Sequence, residues 1–134
     1  IWLGLLALCA VTVRAAEPAP SAEAFALELA RSGEVWRGDF DGMLERRMIR
    51  VLVPHSRTLF FNDQGEERGI TAEIAREFER FLNRKYAHAL GRRPLTIFLI
   101  PTTRDRLLPA LRAGLGDIAA GNLTQTPARR LLAD

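Results

Sequence analysis

Apolar residues are spread unevenly along this chain. Ile1 to Val13 is almost unbroken in apolar side chains, whereas the remainder alternates between apolar and charged positions. The first run has the length of the hydrophobic segment of an export signal and is too short to span a bilayer as a helix. Val13-Arg14-Ala15 puts small or branched residues three and one positions before a cut that follows Ala15. The proline-bearing stretch Ala16 to Ser21 then reads as the flexible start of a mature chain and argues against a buried core helix. Residues 1–15 are therefore expected to be a signal peptide lacking its basic n-region, with the product exported to the periplasm or cell envelope. A second reading takes Leu6-Ala7-Leu8-Cys9 as a lipobox and Cys9 as a lipid anchor. Leu8 stands where a small residue belongs, which ranks that reading second.

Past the leader, the periodicity changes from element to element. Ala22 to Arg31 predicts a short helix ended by Ser32-Gly33. Gly38-Asp39-Phe40-Asp41-Gly42 predicts a polar turn, and Met43 to Arg47 one helical turn. Ile49 to Val53 predicts a strand, β-branched and stopped by Pro54. Phe60 to Gly65 predicts a short strand and a turn. Thr71 to Arg84 predicts the longest helix, with Ile74, Phe78, Phe81 and Leu82 as its inward apolar stripe. Glu73, Arg76, Glu77, Arg80 and Arg84 fall on its wet face, with Glu77 and Arg80 at pairing distance. Thr96 to Ile100 predicts a second strand, apolar enough to be covered on both faces. Thr102-Thr103-Arg104-Asp105 predicts a capping box, Thr102 at the N-cap and Asp105 at N3. The helix it opens turns Leu107, Leu108 and Leu111 inward and ends near Gly114, with Pro109 a source of a kink. Asp117 to Ala120 predicts a third strand.

This β-α-β-α-β order defines an α/β class with a parallel sheet flanked by helices. In such sheets ligands bind at the carboxyl ends of the strands. The rule selects the loop after Val53, the loop after Ile100, and the loop from Gly121 to Arg129. The 134 residues, 48% hydrophobic, suffice for one core, and seven Phe with two Trp exclude disorder. The net charge of +3 comes from interleaved acids and bases, so a nucleic-acid partner is not expected. With Cys9 as the sole cysteine and His55 and His88 apart from each other, neither a disulfide nor a metal site is expected.

Candidate chemistry concentrates in the third loop. Gly121 allows close backbone approach, and Asn122 and Thr124 offer side-chain hydrogen bonds. Thr126-Pro127 predicts an N-cap and first helical residue, followed by Arg129 and Arg130 in the first turn. An arginine there is placed for a bidentate pair with a carboxylate, although a capped helix with solvated arginines fits the same pattern. Phe60 in the first loop is a candidate aromatic wall and equally a candidate core residue. Thr102 is a cap first and a ligand contact second. No nucleophile elbow, Cys/His pair or phosphate-binding glycine loop occurs, so no catalytic residue and no cofactor are expected.

Several segments together resemble the family 3 extracellular solute-binding proteins. They are Ile49 to Val53, Asp63-Gln64-Gly65, Arg68 to Ile74, Leu107 to Gly114, Gly116 to Ala120 and Leu123 to Arg129. The resemblance covers roughly Met48 to Asp134 and implies a type II periplasmic-binding-protein-like lobe, here incomplete. It implies that residues 16–47 are a leader with short helices and 48–134 a first lobe. It also implies that Arg129 clamps a carboxylate while Gly121, Asn122 and Thr124 hydrogen-bond the solute. The solute would be an amino acid, peptide or muropeptide, and the partner an ABC importer or peptidoglycan. A narrower resemblance, carried by Trp36 to Met43, Arg46 to Pro54 and Leu99 to Asp105, is to the binding half of membrane-bound lytic transglycosylase F-like proteins. Their catalytic glutamate, usually followed by serine, has no counterpart in this chain, so any catalytic domain would lie beyond Asp134.

Overall fold

A computed structural model describes residues 33–131 of the chain. The export signal, Cys9 and the Ala22–Arg31 helix expected above lie outside the described residues. Helix α1 (Phe40–Arg46) leads into strand β1 (Met48–Pro54). A hairpin of β2 (Phe61–Asp63) and β3 (Glu66–Arg68) precedes helix α2 (Ile70–Lys85) and the short α3 (Ala87–Leu90). Strand β4 (Thr96–Thr102), helix α4 (Leu107–Arg112), strand β5 (Ile118–Ala119) and helix α5 (Pro127–Arg130) follow. The predicted turn at Gly38 to Gly42 is thus cut short, because Phe40 already starts a helix that ends at Arg47 in the left-handed conformation.

The sheet is parallel with order β4-β1-β5, as the β-α-β-α-β reading requires. Every residue of β1 is buried. Its odd positions Ile49, Val51 and Val53 join Ala72, Ala75 and Leu82 of α2, together with Leu90, Leu95, Ile97 and Leu99, in one apolar cluster. Its even position Leu52 turns the other way and packs over Gly116. A central strand covered on both faces therefore reads as a continuous apolar run. β4 is an edge strand and buries alternate residues, so its uniform apolarity overstates its cover.

Two sequence expectations fail here for identifiable reasons. Of the stripe assigned to the inner face of α2, only Leu82 is buried; Ile74, Phe78 and Phe81 are exposed. The inner face is made instead by the small residues Ala72 and Ala75, flanked by a polar row that serves β4. Asn83 Nδ2 donates to Leu95 O at 2.8 Å, and Asn83 Oδ1 accepts from Leu95 N at 2.8 Å. Glu79 Oε2 accepts from Ile97 N at 2.6 Å, and Arg76 Nη2 donates to Ile97 O at 2.9 Å. These side chains satisfy backbone groups that an edge strand would otherwise leave open to another chain. Hydrophobicity alone assigned Arg76 to the wet face, yet it is half-buried and bonded to the sheet. The second failure is the capping box. Thr102 is the last residue of β4, paired with Pro54, and α4 begins only at Leu107 with Arg106 as an N-cap that makes no side-chain bond.

The segment from Glu34 to Arg46 is clasped to the sheet by buried charge. Arg50 is completely buried in the middle of β1. Its Nη2 meets Asp117 Oδ1 at 2.8 Å and donates to Gly114 O at 3.0 Å and Trp36 O at 3.3 Å. Its Nη1 donates to Glu34 O. Asp117 Oδ2 also accepts from Arg50 N at 2.8 Å and from Arg46 Nη2 at 2.7 Å. The Arg46 guanidinium in turn stacks on the Trp36 ring, 3.7 Å from its centroid. An arginine inside an apolar strand needs a desolvated anion nearby, and Asp117 supplies it.

Candidate functional site

The carboxyl ends of the three strands come together at Pro54, Thr102 and Ala119, as the topology rule requires. The loop after β5 closes over this edge. Gly121 is buried there, and a β-carbon on it would sit 2.8 Å from Leu107 Cδ1 and 3.2 Å from the Pro54 ring. A larger residue at this position would have to displace the Leu107 side chain and crowd Pro54. Arg104 Nη1 donates to Gly121 O at 3.1 Å, tying the loop after β4 to the loop after β5. Sequence reasoning passed over Arg104, because an arginine among turn residues carries no signal of a carbonyl partner in another loop.

Asn122 follows with φ 51°, in the left-handed region that asparagine tolerates, and is exposed. Thr126 caps α5 as predicted: its Oγ1 accepts from Arg129 N at 3.2 Å, and Pro127 is the first helical residue. The cap orients the turn so that Arg129 Nη1 reaches back to Thr124 O at 3.0 Å. Arg130 Nη2 donates to Gln125 Oε1 at 3.1 Å. Both guanidiniums are exposed and keep donors available.

Thr124 and Arg129 line an open cleft of about 660 Å³ between α4, β5 and α5. Leu108, Leu111, Ile118 and Leu123 give it an apolar wall, and Thr124, Gln125, Arg129 and Arg130 give it a polar rim. Its chemistry suits a small solute with an apolar body and an anionic end. The structure therefore brings together two of the six residues singled out from the sequence. Gly121, Asn122 and Thr102 stand at the same end of the sheet without lining the cleft. Phe60 does not face solvent at all: it is 3% exposed, packed in the main apolar cluster, and held by paired backbone bonds to Ser56 at 2.8 and 2.9 Å. The aromatic wall expected at Phe60 is a core residue. Among the described residues no group of three or more histidine, cysteine or carboxylate side chains is placed to hold a metal ion.

No family model matches the chain, and no curated protein does. Solved structures do. An ancestral cationic amino acid solute-binding protein is 28% identical, with a TM-score of 0.52 over 68% of this chain. An ancestral amino-acid-binding protein described as a precursor of cyclohexadienyl dehydratase is 26% identical, with a TM-score of 0.55 over 68% of this chain. An ancestral cyclohexadienyl dehydratase is 27% identical, with a TM-score of 0.52 over 73% of this chain. The described residues therefore form a mixed α/β lobe of the periplasmic-binding-protein-like, type II kind. The chain spans 36% of the first of these proteins and 37% of the last.

Proposed function

We propose that this chain supplies one lobe of a solute-binding module for small carboxylate-bearing, amino-acid-like solutes. The observation that carries the reading is the pairing of Arg129 with Thr124 on an open cleft beside the carboxyl ends of a parallel sheet. The binding proteins named above support it, since one is a cationic amino acid solute-binding protein and another an amino-acid-binding protein. In the proposed mechanism Arg129 fixes the carboxylate through its exposed donors, while Thr124 and Gln125 complete the polar side. A solute gripped between two lobes by hinge closure needs the second jaw. This chain alone is therefore expected to hold such solutes weakly, and a micromolar affinity measured on it by calorimetry would contradict the two-lobe part of the reading.

The test is titration of the protein with a panel of amino acids, and of the same panel against Arg129→Ala. Loss of a charge-assisted bond worth about 1.5–3 kcal/mol should weaken carboxylate solutes roughly 10- to 150-fold and leave decarboxylated analogues unchanged. Equal affinity for both forms would remove Arg129 from the site. Export to the periplasm and delivery to an ABC importer belong to the same proposal. A second reading, the sensing half of a peptidoglycan-cleaving enzyme, draws on the leader. Trp36 and Arg46, which carry that narrower resemblance, are built into the lobe through Asp117. Mass and peptide mapping of the native protein separate the two: a further catalytic domain favours the enzyme, and a second lobe alone favours transport.

A further inference from the structure

The outer face of α2 has no role in the lobe described so far. Ile70, Ile74, Phe78 and Phe81 are 53%, 63%, 37% and 47% exposed. At about 3.6 residues per turn they form one apolar stripe, turned well away from the Ala72, Ala75 and Leu82 face that packs on the sheet. A continuous exposed apolar stripe of this kind marks an interaction surface.

Charge along one flank of the stripe identifies the occupant. Glu73, Glu77, Arg80 and Arg84 are exposed and follow one another along that flank, two acids and then two bases. When two helices pack antiparallel, each flank meets the same flank of the other helix. This sequence is complementary to its own reverse. Glu73 would face the partner's Arg84, and the Glu77–Arg80 pair, bonded within each helix at 2.5 Å, would meet the same pair of the partner, with the reciprocal contacts generated by symmetry. The apolar stripe reverses about nearly the same point: Ile74 and Phe81 exchange across an axis beside Phe78.

We propose that α2 is a self-association surface, through which two copies of this chain pair antiparallel about a two-fold axis. Such an interface is isologous: the same patch serves both copies. It lies on α2, away from the cleft between α4, β5 and α5, so pairing leaves the two clefts open.

Sedimentation equilibrium on the protein and on exposed-face variants tests this. Wild type should dimerise, and added salt should weaken the dimer. Glu73→Arg with Glu77→Arg makes the row wholly basic, and Arg80→Glu with Arg84→Glu makes it wholly acidic. Each double variant alone should weaken dimerisation about tenfold or more, because like charges then face each other. Mixing the two should restore pairing as a heterodimer. Phe78→Ser, at the centre of the stripe, should leave the protein monomeric. Unchanged circular dichroism and melting temperature in each variant would show that the fold is intact. A wild-type monomer at all concentrations, meaning that another segment covers the face, would overturn the proposal. So would a dimer indifferent to the charge reversals, or a failure of the mixture to pair.

Discussion

Removing the Asp117 carboxylate is the sharpest perturbation the lobe offers. Its two oxygens accept from Arg50 N, Arg50 Nη2 and Arg46 Nη2 at 2.7–2.8 Å, and more weakly from Arg50 Nε at 3.3 Å. The Asp117 and Arg50 side chains are 1% and 0% exposed. Asp117→Ala takes the Asp117 carboxylate away from a buried guanidinium and strips a backbone N–H of its acceptor. Breaking a buried pair from one side costs about 3–5 kcal/mol, a large part of the roughly 5–15 kcal/mol that holds a domain of this size. At the usual entropy of unfolding this is a fall in melting temperature of roughly 10–20 °C. Replacing both partners, as in Arg50→Met with Asp117→Leu, removes the Arg50 charge and should recover part of the loss, because well-packed apolar pairs often match buried ion pairs, while the 2.7 Å bond from Arg46 to Asp117 is still lost. Urea unfolding of wild type, Arg50→Met, Asp117→Leu and the double variant gives the cycle, with Asp117→Ala measured beside it. A cost below about 1 kcal/mol for Asp117→Ala, or a double variant no better than the sum of the singles, would refute the account of the clasp.

Other consequences are smaller. Gly69 caps α2 at φ 112°, and a β-carbon there would meet Leu59 O, so Gly69→Ala should destabilise by about 1–3 kcal/mol in the same unfolding assay. Asn83→Leu should leave Leu95 N and O without partners at the sheet edge, costing about 1–3 kcal/mol and raising light scattering on partial unfolding. The Thr103 hydroxyl, with Asp105's own backbone, holds the Asp105 carboxyl below its ordinary value. A depressed carboxylate contributes stability that is present above its unfolded value and lost as pH falls through the folded one. Thr103→Val should therefore move the Asp105 titration upward in carbon-detected NMR, and an unmoved titration would contradict the hydroxyl's part.

Elements whose local pattern agrees with their tertiary setting were legible in the sequence. β1 and β4, the parallel order, the end of α4 near Gly114 and the Thr126-Pro127 cap all follow from runs of a few residues. What escaped depended on partners distant in the chain. Arg76, Glu79 and Asn83 look like solvent-facing polar residues until β4 is set beside α2, and only then does the true inner face resolve to two alanines and Leu82. Phe60 was ambiguous because an aromatic in a loop predicts a wall and a core equally well, and only its burial in the main apolar cluster decides. Arg50 was readable in principle: a charge inside an apolar strand requires a buried acid, and Asp117 opens the next strand of the sheet. At the candidate site the Thr124–Arg129 turn was visible from its cap. The apolar wall was less visible, because Leu108 and Leu111 read as inward core positions while they are half-buried on the cleft.

The proposal that Arg129 anchors a carboxylate is tested most directly by amide chemical-shift mapping of the protein during titration with a free amino acid and with its decarboxylated amine. The account predicts that the amino acid alone perturbs resonances within Gly121 to Arg130, and that Arg129→Ala abolishes the perturbation. Shifts elsewhere on the lobe, or equal shifts from the amine, would contradict it.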